Sequence, residues 1–91
     1  MFIDFTNDPS QTFNTSINGV NYTINVNWNS RFKFWSMDLT YEDITHYGIN
    51  IVAGIDLLEQ FTDVPFGLKS ENIFDPARDN LNQFRLEVIN V

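Results

Sequence analysis

Three stretches of the sequence carry residue types that could do chemistry, and each can be tested against what that chemistry needs. The first is "YGINIVAGIDLLEQF", residues 47–61, where an apolar run meets two glycines and an acidic segment. A strand turning at glycine into a helix is how many phosphate sites begin. A phosphate loop, however, needs clustered glycines, a lysine and a Ser/Thr, and a dinucleotide site needs G-x-G-x-x-G. Gly48 and Gly54 stand too far apart for either. Asp56 would also sit where a helix N-terminus meets an anion, offsetting the positive helix end and repelling phosphate. The second is His46, the single histidine, beside Glu42 and Asp43 in "YEDITHYG". General-base work would require a nucleophile and an orienting partner, and a metal would require ligands converging from elsewhere; the spacing supplies neither.

The third group is acidic and aromatic. Glu42/Asp43, Asp56/Glu59 and Asp75/Asp79 are carboxylate pairs, but glycoside hydrolysis needs two carboxylates flanking a shaped cleft. "DPARDN" lacks the spacing and terminal glutamate of a calcium-binding EF-hand loop. Solvated loop charge accounts for these residues. Trp28, Phe32, Phe34 and Trp35 could stack on a sugar ring or fill a core. The sequence therefore predicts no catalytic, metal or cofactor-binding residue, and no enzyme.

The elements around these residues read as mostly β. In "INGVNYTINVNW", Asn18-Gly19 suits the positive φ of a two-residue hairpin turn. After it Val20, Tyr22, Ile24, Val26 and Trp28 alternate with Asn21, Thr23, Asn25 and Asn27, one apolar face against one amide-rich face. "QTFNTSI" is the partner strand. Asn29-Ser30 leads into "RFKFWSMDLT", where Trp35, Met37 and Leu39 form the core set. Phe32 and Phe34 share the other parity, so the stretch holds either a bulge or a strand apolar on both faces. "TYEDITH" reads as a polar connection. "YGINIVAG" resumes a buried strand with Ile49 and Ile51 inward, ending at Gly54. "IDLLEQF" has helical spacing, with Leu57, Leu58 and Phe61 on one side; Pro65 stops it. "GLKSENIF" and "QFRLEVINV" supply two more strands around the loop "DPARDNLN", with Phe84, Leu86, Val88 and Val91 alternating in the last. The expectation is a small antiparallel β-barrel or β-sandwich of about five to seven strands with one short helix near residues 55–61.

The totals narrow the function classes. Ninety-one residues suit one domain, here 1–91, with residues 1–10 as an N-terminal arm. Twelve Asp/Glu against five Lys/Arg give a formal charge of −7. The cations are scattered, so tight nucleic-acid binding is not expected. There are no cysteines, hence no disulfides or thiolate metal sites. "MFIDFTNDPSQTF" does not read as a signal peptide, and no apolar run is long enough to span a membrane. The N-x-[ST] matches at Asn14 and Asn21 are chance in an asparagine-rich chain. An aromatic share of 15% is high and could fill a small core or dock on a neighbour.

The order of three segments resembles the baseplate plug family of contractile-tailed bacteriophages. These are "Y-T-I-x-V-x-W" at Tyr22–Trp28, "W-x-x-D-L" at Trp35–Leu39, and "G-I-x-[IVL]-V-x-G-x-D-L-L-x-Q-[FY]" at Gly48–Phe61 followed by Phe66-Gly67. The last is the most specific; Asn50 stands where the family often has proline. The resemblance implies a structural virion protein without catalysis, seated among hub, tail-tube or spike proteins and closing or shaping the channel. It implies a homo-oligomer or several copies, assembled in the host cytoplasm. Candidate protein-contact residues are Asn21, Asn25, Asn27, Phe32 and Phe34. A stand-alone module binding sugar or peptide through Trp28 and Trp35 is the alternative.

Overall fold

The structure, a computed structural model, describes residues 2–72 and 74–90. Among the described residues seven strands form: β1 Phe2–Asp4, β2 Ser10–Ile17, β3 Val20–Asn29, β4 Phe34–Tyr41, β5 Ile44–Asn50, β6 Gly67–Lys69 and β7 Arg85–Ile89. They form two antiparallel sheets, one ordered β2-β3-β4-β5 and one ordered β1-β7-β6, and neither closes into a barrel. Of the two expected closures, open sheets are the one observed.

The β2–β3 hairpin forms because Asn18 and Gly19 both take positive φ, +54° and +83°, so the turn twists the way the strands do. Its eight residue pairs run without a break from Ile17↔Val20 to Ser10↔Asn27. Tyr22, Ile24 and Val26 are buried; Val20 and Trp28 are half-buried and pack against the same core. The strand after the next turn starts later than the sequence suggests. Residues 30–33 form the turn itself, with Lys33 at φ +57° and the Asn29 Oδ1 accepting the N–H groups of Arg31 and Phe32. Strand β4 thus begins at Phe34. That resolves the parity conflict: Trp35, Met37 and Leu39 point inward in step, and Phe32 never enters a strand. The polar connection after β4 is a tight turn at Glu42-Asp43, with β5 starting at Ile44.

The two sheets share one hydrophobic core. The larger contributes Tyr22, Ile24, Val26, Trp35, Met37, Leu39 and Ile49; the smaller contributes Ile3, Leu68, Leu86 and Val88, with Phe5, Leu57, Leu58, Phe66, Leu81 and Phe84 arriving from connections.

Four expectations are corrected. Residues 1–10 are not a simple arm, since Phe2–Asp4 pair with β7 and Ile3 and Phe5 are buried. The helix near 55–61 is absent. A seven-residue helix bears the full cost of nucleation with few bonds to offset it, and here the edge of β6 offers better partners: Gly54 N–H donates to Ser70 O and Leu57 N–H to Leu68 O. Leu57 and Leu58 are buried all the same, while Phe61 is half-buried. Gly54, expected in the core, is exposed at φ +81°, where it bends the chain. Finally, "GLKSENIF" is strand only over Gly67–Lys69, and the loop before β7 contains a 3₁₀ turn at Leu81–Gln83. Ile73 and Val91 lie outside the described residues.

Candidate functional site

His46 is not paired with Glu42 or Asp43. Its Nε2 lies 2.9 Å from the Oδ2 of Asp63, and since an ionised carboxylate only accepts, the proton is on that nitrogen. Tyr41 donates its hydroxyl to the same oxygen. The imidazole stacks on Phe61 at 4.0 Å between centroids. Strands β4 and β5 therefore hold Tyr41 and His46 side by side, and Asp63 reaches them from the 51–66 connection. The two hydrogen bonds to Asp63, from Tyr41 and then His46, lower its pKa. The Asp63 hydrogen bond, with smaller contributions from burial and charge, raises Tyr41 to about 12. The described contacts around this cluster bring no nucleophile to His46; the arrangement clips the connection onto the sheet.

The clip has a pH signature. Asp63 has a lower pKa folded than unfolded, so its stabilisation is present above the unfolded value of roughly 3.9 and fades as pH falls through the folded one. Asp63→Asn is expected to melt below the unchanged protein at neutral pH, with the gap narrowing under pH 4. Tyr41 has the opposite sign: its contribution holds below about pH 10 and is lost as pH rises towards 12. Thermal melts of both proteins across pH 3–7 check the acid limb, and a gap that stays constant would refute it.

The bend at residues 48–58 is not a phosphate cradle. Asp56 Oδ1 accepts the backbone N–H groups of Leu58 and Leu68, each at 3.0 Å. The chain's own carboxylate thus occupies donors that an anion would need. A groove of about 560 Å³ runs alongside, lined by Gly48, Ile49, Val52, Ile55 and Leu57 with Asp56 and Glu59 at its polar side. Among the described residues no three His, Cys, Asp or Glu side chains gather into a metal site.

Trp35 offers no ligand platform. It is fully buried, and its indole N–H donates to Ala77 O at 2.7 Å. Trp28 packs on it at 5.3 Å. Phe32 is 67% exposed with Arg31 over its ring, whereas Phe34 is half-buried on the outer face of β4.

The outer face of the larger sheet is the most regular surface of the molecule. Strand register aligns Ser10, Asn27, Ser36 and Asn50 in one row, Thr12, Asn25 and Asp38 in the next, and Asn14, Thr23, Thr40 and Thr45 in a third. Neighbours in these rows bond one another: Thr23 to Asn14 at 2.7 Å, Ser10 to Asn27 at 3.1 Å, Thr12 to Asn25 at 3.3 Å, and Thr40 with Thr45 at 3.0 Å. Asp38, the one charged residue of the rows, accepts the N–H of Gly48 at 2.9 Å. Asn25 and Asn27 are half-buried within the ladder, also bonding each other, and Asn21 is exposed at its end. The alternation in β3 pointed to these asparagines. Asp63 had no such signal, because its partners come from a hairpin 17 and 22 residues earlier.

A comparison with curated proteins finds no match. The sequence model of one family, described as the cyanophage baseplate Pam3 plug gp18, matches residues 2–89. That span takes in β1 and every strand after it, as well as the bend at Gly48–Phe61. The chain therefore belongs to the family of the cyanophage baseplate plug gp18.

Proposed function

We propose that this protein plugs or shapes the central channel of a phage baseplate by steric fit and protein–protein contact, with no reaction catalysed. The baseplate role follows from the family; channel closure is the finer step. The observation that carries it is the outer face of the β2-β3-β4-β5 sheet. Its hydroxyls and amides are short, uncharged and already bonded to each other. Such a face loses little side-chain entropy on contact and needs no counter-charge, which suits a fixed seat against a neighbour. Hub, tail-tube or spike proteins of the virion are the proposed neighbours, met after synthesis in the host cytoplasm. Contacts there would add to the stability of a small core by mass action.

Asn25→Lys with Asn27→Lys tests the seat. Lysine stems would break the ladder and carry charge into a half-buried surface, so the variant is expected to be made and folded but largely missing from purified particles. Quantitative immunoblotting of virions against a circular-dichroism melt of the isolated variant gives the readout. Normal incorporation and infectivity would overturn the assignment of this face.

A further inference from the structure

We infer that strand β2 is a self-pairing edge, through which two copies of this chain join antiparallel into one continuous eight-stranded sheet. A free strand edge is a template for another strand, and proteins defend such edges with short strands, bulges, charge or proline. Three of the four sheet edges are defended. Strands β1 and β6 are three residues each. Strand β5 carries Gly48 at φ +69° and a register shift opposite Met37 and Leu39. Strand β2 has eight residues, unbroken register and none of these devices. It is also free of charge, in a molecule of net charge −7.

What should cover this edge is written in its own residues. Ser10-Gln11-Thr12-Phe13-Asn14-Thr15-Ser16 is a chemical palindrome centred on Phe13. Turning a second copy about a two-fold axis at Phe13 sets Ser10 opposite Ser16, Gln11 opposite Thr15 and Thr12 opposite Asn14. Every pair keeps its side chains on matching faces, as an isologous interface requires. The Thr–Asn pairs already occur within the chain, where Thr12 bonds Asn25 and Thr23 bonds Asn14. Across the axis the same chemistry would repeat, with the Asn14 amide donating to the partner copy's Thr12 hydroxyl.

Backbone geometry agrees. The two-residue turn makes Ile17↔Val20 a hydrogen-bonded pair, so alternate residues Thr15, Phe13 and Gln11 also bond β3. The N–H and C=O groups of Thr12, Asn14 and Ser16 then point out of the sheet. These three residues are exposed. At the far end Asp8 accepts the Ser10 N–H at 3.1 Å, closing the ladder there. In the palindromic register the outward residues meet outward residues, so hydrogen bonds form at Thr12/Asn14 and Phe13 faces Phe13 at a close, non-bonded position. An acidic chain can approach a copy of itself along this strand without like-charge contact. The pairing needs nothing from the baseplate, so the purified chain would show it whether or not the plug role holds.

A seam made by a single pair of strands belongs with the weak, transient contacts below roughly 1,200 Å², and a Kd on the order of 100 µM is expected. Sedimentation of the full chain should show the weight-average mass rising from about 1.2 chains at roughly 10 µM to about 1.8 chains at roughly 1 mM. Over the same range the amides of Thr12, Asn14 and Ser16 should exchange with solvent roughly fourfold more slowly, as the monomer fraction falls, while exposed amides elsewhere stay unchanged. Thr12→Lys with Asn14→Lys sets like charges opposite each other across the axis and should hold the chain monomeric. A chain that stays monomeric at 1 mM overturns the inference. So does a dimer with unprotected β2 amides, or one that survives both lysines. Should the lysine variant fail to fold, the exchange data on the unchanged protein decide alone.

Discussion

Trp35→Ala is expected to leave the protein largely unfolded at ambient temperature. The indole is fully buried, near the start of β4 in the larger sheet. It packs on Trp28 at 5.3 Å, lies under the Arg78 guanidinium at 5.8 Å, and holds the 74–80 loop through its N–H to Ala77 O at 2.7 Å. Truncating a buried tryptophan costs about 3–5 kcal/mol through lost transfer energy and the cavity left behind. A small domain has a total stability near the lower end of roughly 5–15 kcal/mol. The remainder is close to zero. Trp35→Phe keeps most of the ring volume and loses the anchor on Ala77, so it should fold with reduced stability. Urea denaturation followed by circular dichroism separates the three proteins. An alanine variant within about 1 kcal/mol of the parent would mean that the Trp35 site collapses onto itself, contrary to the packing described.

Asp56→Ala should have the second-largest effect, at about 2–4 kcal/mol. One carboxylate oxygen accepts both the Leu58 and Leu68 N–H groups, and charge-assisted bonds contribute roughly 1.5–3 kcal/mol each before non-additivity. Both leucines are buried, so the freed N–H groups would have poor access to water. Asp56→Asn retains an oxygen at the accepting position and should recover most of the loss. The site can be disturbed from the other side as well. A Cβ added at Gly67 would come within 2.7 Å of the Asp56 Cγ, so Gly67→Ala should displace the carboxylate and reproduce much of the Asp56→Ala phenotype. Equal stability of Asp56→Ala and Asp56→Asn in urea titrations would show that the acceptor is unimportant.

These two residues also mark the limits of reading the chain by pattern. Trp35 was legible, because polar Ser36 and Asp38 set the parity of β4 and sent Trp35, Met37 and Leu39 inward. Asp56 was legible only as a negative charge that would discourage phosphate. Its actual partners, the amides of Leu58 and Leu68, depend on β6 coming alongside. The helix expected near it failed for the same reason. Leucines at 57 and 58 satisfy helical spacing and equally satisfy an irregular segment laid against a strand edge, and periodicity over seven residues cannot separate the two.

By itself the sequence determined the local alternations: the Asn18-Gly19 hairpin, the apolar and amide faces of β3, the inward set of β4, and the motif order shared with the plug family. Those features depend on neighbours a few residues apart, where side-chain period and turn chemistry act directly. Tertiary structure alone decided that two open sheets form instead of a barrel, that Phe2–Asp4 complete the smaller sheet beside β7, and that Asp63 captures Tyr41 and His46. Each of those choices joins segments distant in the chain, and residue types close in sequence carry no record of which distant edge or carboxylate will reach them first.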